Sequence, residues 1–226
     1  MKKIILSVMA VLAFGYANAQ DKEVKEAKEF GFSKGNIFIE GQLSFSSSKE
    51  TNSFEGKDFE EIKKSNTVFT PKAGYFISDD FAIGVQLAMS SSKEENTDLI
   101  TPATDESKIS GFGAGVFARY YFLNLGQRFK TYTELGLAFG SSKKRVNSVE
   151  TNKIDGFGVG LDLGMNYFVT PKMAISFGLS NVLAFNATND KDVVNNTESK
   201  TNSFSGNLNL FNNFFDTPTF GLLYKF

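Results

Sequence analysis

The side chains able to do chemistry in this 226-residue sequence are carboxylates, cations and hydroxyls, because it contains neither His nor Cys. The usual pairing of a nucleophile with an imidazole base is therefore missing, as are the ligands of a soft-metal site. A carboxylate-only mechanism would fall to Glu40, Glu134 or Asp162. Two glycine-rich runs, Gly111-Phe112-Gly113-Ala114-Gly115 and Gly156-Phe157-Gly158-Val159-Gly160, invite a phosphate-binding reading. A dinucleotide fingerprint needs a strand, a turn and then a helix N-terminus, whereas each run here continues in two-residue alternation. The charged clusters Lys93-Glu94-Glu95, Lys143-Lys144-Arg145 and Asp190-Lys191-Asp192 read as solvated surface, and their spacing matches no EF-hand loop. No enzymatic activity and no cofactor are expected. A formal net charge of −1 gives no basic excess that would point to nucleic acid.

The elements that would position these residues alternate with period two. In Gly35 to Ser48, Ile37, Ile39, Gly41, Leu43 and Phe45 alternate with Phe38, Glu40, Gln42, Ser44 and Ser46. The same pattern runs through Val68 to Ile77, Phe81 to Ser90, Ile109 to Phe122, Phe129 to Gly140, Ile154 to Val169, Lys172 to Phe185, and the closing Phe220 to Phe226. That makes eight strands. Short turns near Ser78 to Asp80, Leu123 to Gln127 and Thr170 to Pro171 alternate with long polar stretches, Lys49 to Ser65, Ser91 to Ser107, Ser141 to Asn152 and Asn186 to Asn202, which are expected to be loops. Ser203 to Phe211 also alternates before the pattern breaks at Phe211 to Pro218. It is either the start of one long last strand with a bulge or a ninth strand that pairs outside the barrel, and an even strand count favours the bulged strand.

The chain opens on Met1-Lys2-Lys3, an apolar run from Ile4 to Tyr16 and then Ala17-Asn18-Ala19, the pattern of a secretory signal peptide over residues 1–19. Losing Lys2 and Lys3 takes the formal charge from −1 to −3. Residues 20–33, with the charged run Asp21 to Glu29, are expected to form a solvated periplasmic stub or one short helix. Residues 34–226 form the barrel.

A soluble sandwich would alternate too, but its outer face would be rich in charge. Here the second face is mainly Gly, Ser, Ala and Asn, which suits a narrow lumen. The aromatics Tyr75, Phe76, Phe81, Tyr120, Tyr121, Phe122, Phe129, Tyr167 and Phe168 flank the short turns, as an interfacial girdle would. Such patterning keeps mean hydropathy at −0.18 despite 25 Phe and 7 Tyr. The reading is all-β: an eight-stranded antiparallel transmembrane up-and-down barrel with both termini periplasmic. Inside it, a hairpin centred between Gly126 and Gln127 sets Arg119 opposite Glu134, predicting a lumen salt bridge that fixes register. Glu40, Gln42, Tyr132, Asp162 and Asn166 are the other predicted polar lumen residues.

The ending Phe220-Gly221-Leu222-Leu223-Tyr224-Lys225-Phe226, with Phe117-Ala118-Arg119-Tyr120-Tyr121-Phe122, resembles the outer membrane protein β-barrel (porin-family) proteins of the Bacteroidetes, relatives of OmpA- and OmpX-type barrels. The resemblance implies residence in a Gram-negative outer membrane, lipid as surroundings, delivery by periplasmic chaperones, and an assembly signal at Tyr224 and Phe226 read by the barrel-assembly machinery. No periplasmic domain is expected after Phe226. An eight-strand interior is about wide enough to be filled by side chains. The expected role is therefore that of a monomeric structural or surface-interaction protein whose loops serve adhesion, envelope integrity or an extracellular partner. A narrow channel or carrier for small or hydrophobic solutes is the alternative.

Overall fold

A computed structural model describes residues 30–101, 103–206 and 219–226. The signal sequence, the charged run of the stub and the 207–218 stretch lie outside the described residues. The strands are β1 (Ile37–Phe54), β2 (Lys57–Phe76), β3 (Phe81–Asp98), β4 (Ala103–Leu125), β5 (Phe129–Val146), β6 (Val149–Phe168), β7 (Met173–Asp192), β8 (Thr197–Gly206) and β9 (Thr219–Lys225). Each of β1 to β7 pairs antiparallel with its sequence neighbours, and β9 hydrogen-bonds both β1 and β7, closing the barrel. β8 lies on the same edge of β7 as β9: Gly178 faces Thr219, and Leu183 faces Gly206. The two segments share the eighth position of the wall, β9 at the periplasmic half and β8 at the outer half. Two separate strands therefore stand where one long bulged strand was expected.

Alternation decides which side each residue faces. Ile37, Ile39, Leu43 and Phe45 on β1, or Val116, Tyr120 and Phe122 on β4, point outward and are exposed. Phe38, Phe117 and Tyr121, one residue out of phase, are buried in the lumen. Glycine makes room for these rings. A Cβ on Gly74 would lie 2.3 Å from Phe38, and one on Gly164 would lie 2.3 Å from Tyr132.

Three expectations need correction. First, the long polar stretches are not loops. They are the outer parts of strands, 18 to 23 residues long in β1 to β7 and 10 in β8, joined by tight turns. Glu55-Gly56 has φ of 51° and 75°, and Asn147-Ser148 has 49° and 70°. Positive φ at both turn positions matches the twist of a two-residue hairpin. Alternation fades there because both faces of an extended hairpin meet water. Cross-strand ion pairs hold it instead: Lys49 to Glu61 at 2.6 Å, Lys93 to Glu106 at 2.9 Å and Lys143 to Glu150 at 3.0 Å.

Second, the girdle residues divide between two faces. Tyr75, Tyr120, Phe122 and Phe129 face outward, whereas Phe76, Tyr121 and Phe168 turn into the lumen and are buried. Third, the end of the stub is not solvated. Phe32 enters the periplasmic mouth, stacked on Phe76 at 4.3 Å and packed on Tyr121 at 4.8 Å, Phe168 at 5.1 Å and Phe38 at 6.2 Å. Gly35 N–H bonds to Phe76 O at 2.8 Å, and Lys34 N–H to Asp79 Oδ1 at 2.8 Å. Lys225 Nζ donates to Gly31 O at 2.6 Å.

The β3–β4 tip has a pH signature. Asp98 accepts the Thr101 N–H at 3.0 Å, the Thr101 hydroxyl at 2.8 Å and the Ile100 N–H at 2.8 Å. Those bonds, the Thr101 N–H foremost, hold its carboxyl below the usual aspartate value. A depressed carboxylate pKa contributes stability above the unfolded value that is lost as pH falls through the folded one. The Ile100 and Thr101 amide resonances should therefore hold steady down to about pH 4, the ordinary aspartate range, and move only below it. A midpoint at or above that pH in an amide titration would contradict the assignment.

Candidate functional site

The lumen side chains form two layers. The inward phase of β1 brings Phe38, Glu40 and Gln42 inside, that of β2 brings Lys72 and Phe76, and that of β4 brings Phe117, Arg119 and Tyr121. β5 supplies Tyr132 and Glu134, β6 supplies Asn166 and Phe168, and β7 supplies Ser176; all of these are buried. The lower layer is aromatic: Phe38, Phe76, Phe117, Tyr121, Tyr132 and Phe168, with Phe32 inserted from below.

The upper layer is a charged belt. Arg119 and Glu134 are directly opposite in the β4–β5 register, and Arg119 Nε donates to Glu134 Oε2 at 2.6 Å. Arg119 Nη2 reaches across the lumen to Glu40 Oε2, also at 2.6 Å. The Lys72 ammonium donates to the other oxygen of Glu134. Gln42 Nε2 donates to Glu40 Oε1 at 2.9 Å. Two cations thus meet two carboxylates, and the belt is formally neutral. Charges held away from water are costly unless paired and hydrogen-bonded, and here each carboxylate oxygen has a donor.

The two layers are joined. The Arg119 guanidinium lies 4.0 Å from the Tyr132 ring centroid and 5.1 Å from that of Phe38, in cation–π contact with both. Arg119 Nη1 donates to Tyr121 Oη at 3.3 Å, Tyr121 donates to Asn166 Oδ1 at 2.6 Å, and Asn166 Nδ2 donates to Ser176 Oγ at 2.7 Å. Six strands therefore meet in one network.

Asp162 stands apart from it. In β7, Ser180, Asn181 and Val182 bulge opposite this single residue, between the Leu161–Leu183 and Leu163–Leu179 pairs. Asn181 takes φ 59° and donates its N–H to Asp162 Oδ1 at 2.6 Å. The Asp162 carboxylate staples this bulge and lines a cavity of about 420 Å³ above the belt, with Gln42, Thr70, Lys72, Gln86 and Asn181. Of the sequence-predicted lumen residues, Arg119, Glu134, Glu40, Gln42, Tyr132 and Asn166 come together. Lys72, Tyr121, Ser176 and Phe32 were missed. Tyr224 and Phe226 sit elsewhere, on the outer wall at the periplasmic end, with rings 4.9 Å apart and Phe226 N–H bonded to Ile37 O at 2.9 Å.

Every charged group of the belt is committed to another, and among the described residues no group of three or more His, Cys, Asp or Glu could hold a metal ion. The glycines of the two GFG runs line the lumen, and Phe112 and Phe157 between them face outward, 54% and 40% exposed.

Comparison with known proteins agrees with the architecture. OprG from Pseudomonas aeruginosa is similar with a TM-score of 0.51 at 14% identity, over 87% of this chain and 98% of that one. Outer membrane protein W of E. coli is similar with a TM-score of 0.47 at 13% identity, over 86% and 99%. At so low an identity the likeness to OprG bears on the fold alone. No curated protein sequence matches the chain. The family described as "Outer membrane protein beta-barrel domain" matches residues 6–210. With nearly the whole chain matched and the barrel closed by its own last strand, the protein belongs to the outer membrane protein β-barrel domain family, whose members reside in the Gram-negative outer membrane.

Proposed function

We propose that this barrel is a closed, monomeric surface-display protein, whose membrane part is a scaffold and whose outer hairpins make the contacts that matter. The observation that carries the reading is the apolar decoration of all four outer hairpins. Phe54, Ile100, Val149 and Val194 lie at the four tips and are 71%, 74%, 62% and 66% exposed. Large apolar side chains left in water at every tip, beyond the membrane band, are what a contact surface offers a partner. The closed lumen supports the same reading, since the aromatic layer and the charged belt leave no wide aqueous path. On this proposal, periplasmic chaperones and the barrel-assembly machinery deliver the chain, with Tyr224 and Phe226 as the signal they read.

Serine replacement at all four tips tests display. Adhesion or detergent resistance of cells producing the variant should drop while heat-modifiable migration stays normal, and unchanged phenotypes would overturn the proposal. The channel alternative is tested separately. Refolded protein in a planar bilayer should pass no steady unitary current, and regular single-channel steps would replace display with transport.

A further inference from the structure

The outer wall is electrostatically lopsided. At the outer end of β1 to β4, cations are neutralised within the wall: Lys49 and Lys63 each contact Glu61 at 2.6 Å, and Lys93 contacts Glu95 at 2.6 Å and Glu106 at 2.9 Å. The β1–β2 register also sets Lys49 against Lys63, but Glu61 contacts both; on the β4 to β7 side the opposed cations have fewer carboxylate contacts. Lys143 faces Lys153, Lys153 faces Lys191, and Lys108 faces Arg145. All five are exposed. Three carboxylates share this face, Glu150 opposite Arg145, Glu198 opposite Lys191, and Asp155, so the five cations are in excess, and Lys143 with Glu150 is its one ion pair among the described residues. Like charges directly opposite on neighbouring strands are destabilising, so this row is built at a cost unless an anion meets it.

Its height identifies the anion. Just below the row lies a band of outward rings, Phe139, Phe157 and Phe185, spaced 6.0 and 6.1 Å apart. On β5, Phe129 to Phe139 spans ten residues, roughly 26 Å along the membrane normal at about 3.4 Å per residue and about 40° of tilt, which is the height of an outer-membrane apolar band. The three rings therefore mark the outer edge of the hydrocarbon. Lys143 and Lys153 stand four residues further out, roughly 10 Å higher on the same arithmetic, within reach of the headgroup layer when their long stems bend back. The row opens sideways from the wall, toward lipid.

We infer that Lys143, Lys153 and Lys191, flanked by Lys108 and Arg145, form a docking site for phosphate-bearing lipid headgroups of the outer leaflet. The site goes beyond surface display and stands whether or not the tips bind a partner. The full mature chain and its Lys143→Gln/Lys153→Gln/Lys191→Gln variant are refolded into phosphatidylcholine vesicles, with or without one fifth diphosphorylated lipid A. The unfolding midpoint is then read by heat-modifiable migration. Lipid A should raise the wild-type midpoint by several degrees and the variant's by less than half as much, and in phosphatidylcholine alone the variant should melt no lower than wild type. Lipid A stripped of its phosphates should give no rise. An equal rise in both proteins, or a rise with the dephosphorylated lipid, overturns the site. An equal effect from millimolar inorganic phosphate overturns its assignment to lipid. Lys153→Gln alone, at the centre of the row, keeps the test decisive if the triple variant refolds poorly, because it too should blunt the rise.

Discussion

Arg119→Ala should lower the unfolding free energy of the refolded barrel by about 3–5 kcal/mol, the cost of stripping one partner from a buried ion pair. Glu40 and Glu134 would be left with Lys72 as the belt's one cation, and Tyr132 and Phe38 would lose the guanidinium that covers them. The penalty arises from the stranded carboxylate more than from the lost bonds, so a second change should recover much of it. Arg119→Met with Glu40→Gln restores a formally neutral belt, and urea titration should place it well above Arg119→Ala. Equal midpoints for Arg119→Ala and wild type would mean that the belt carries no stability, and failure of the double variant to recover would mean that geometry rather than charge dominates.

Phe38→Ala should cost a similar amount, about 3–5 kcal/mol, by the cavity and transfer terms of a buried Phe. Phe38 is fully buried, seated over Gly74, with Phe32, Phe76 and Phe117 around it. This variant also separates the two closures of the lumen. With the belt intact it should stay electrically silent although the aromatic layer is broken. If it conducts, the aromatic layer is the seal and the belt is permeable.

How far the sequence reveals this site depends on whether a strand's phase can be read. Arg119 and Glu134 are legible because a short hairpin fixes their register. The turn itself is centred on Gln127, with Leu125 facing Phe129, and the bulge at Phe122, between turn and pair, shifts the register by one residue and so restores the expected match of Arg119 with Glu134. Glu40 and Gln42 follow from the alternation of β1. Lys72 does not, because Tyr75 and Phe76 are adjacent aromatics and either could have faced the lipid, leaving the phase of β2 undetermined until its partners set it. Phe32 was invisible for another reason: three-dimensional closure, not local pattern, creates the hole it fills. The outer hairpins were misread as loops because polar residues on both faces erase period two, although Glu55-Gly56 was a turn signal in plain sight. Phase alone places Asp162 among the lumen polar residues. Its part in the β7 bulge depends on the positive φ of Asn181, which no alternation encodes.

The continuous strands above the membrane also set a stand-off. From the outward ring nearest the hydrocarbon edge to the neighbouring tip is eight residues on β5, Phe139 to Asn147, and nine on β1, Phe45 to Phe54. At about 3.4 Å per residue and about 40° of tilt, the tips are carried roughly 20–25 Å clear of the apolar band. A flexible loop of equal length would sweep a volume, whereas a hydrogen-bonded hairpin holds its end at one altitude. Whatever meets Phe54, Ile100, Val149 and Val194 does so at that fixed distance from the bilayer, as against the top of a short rigid tower.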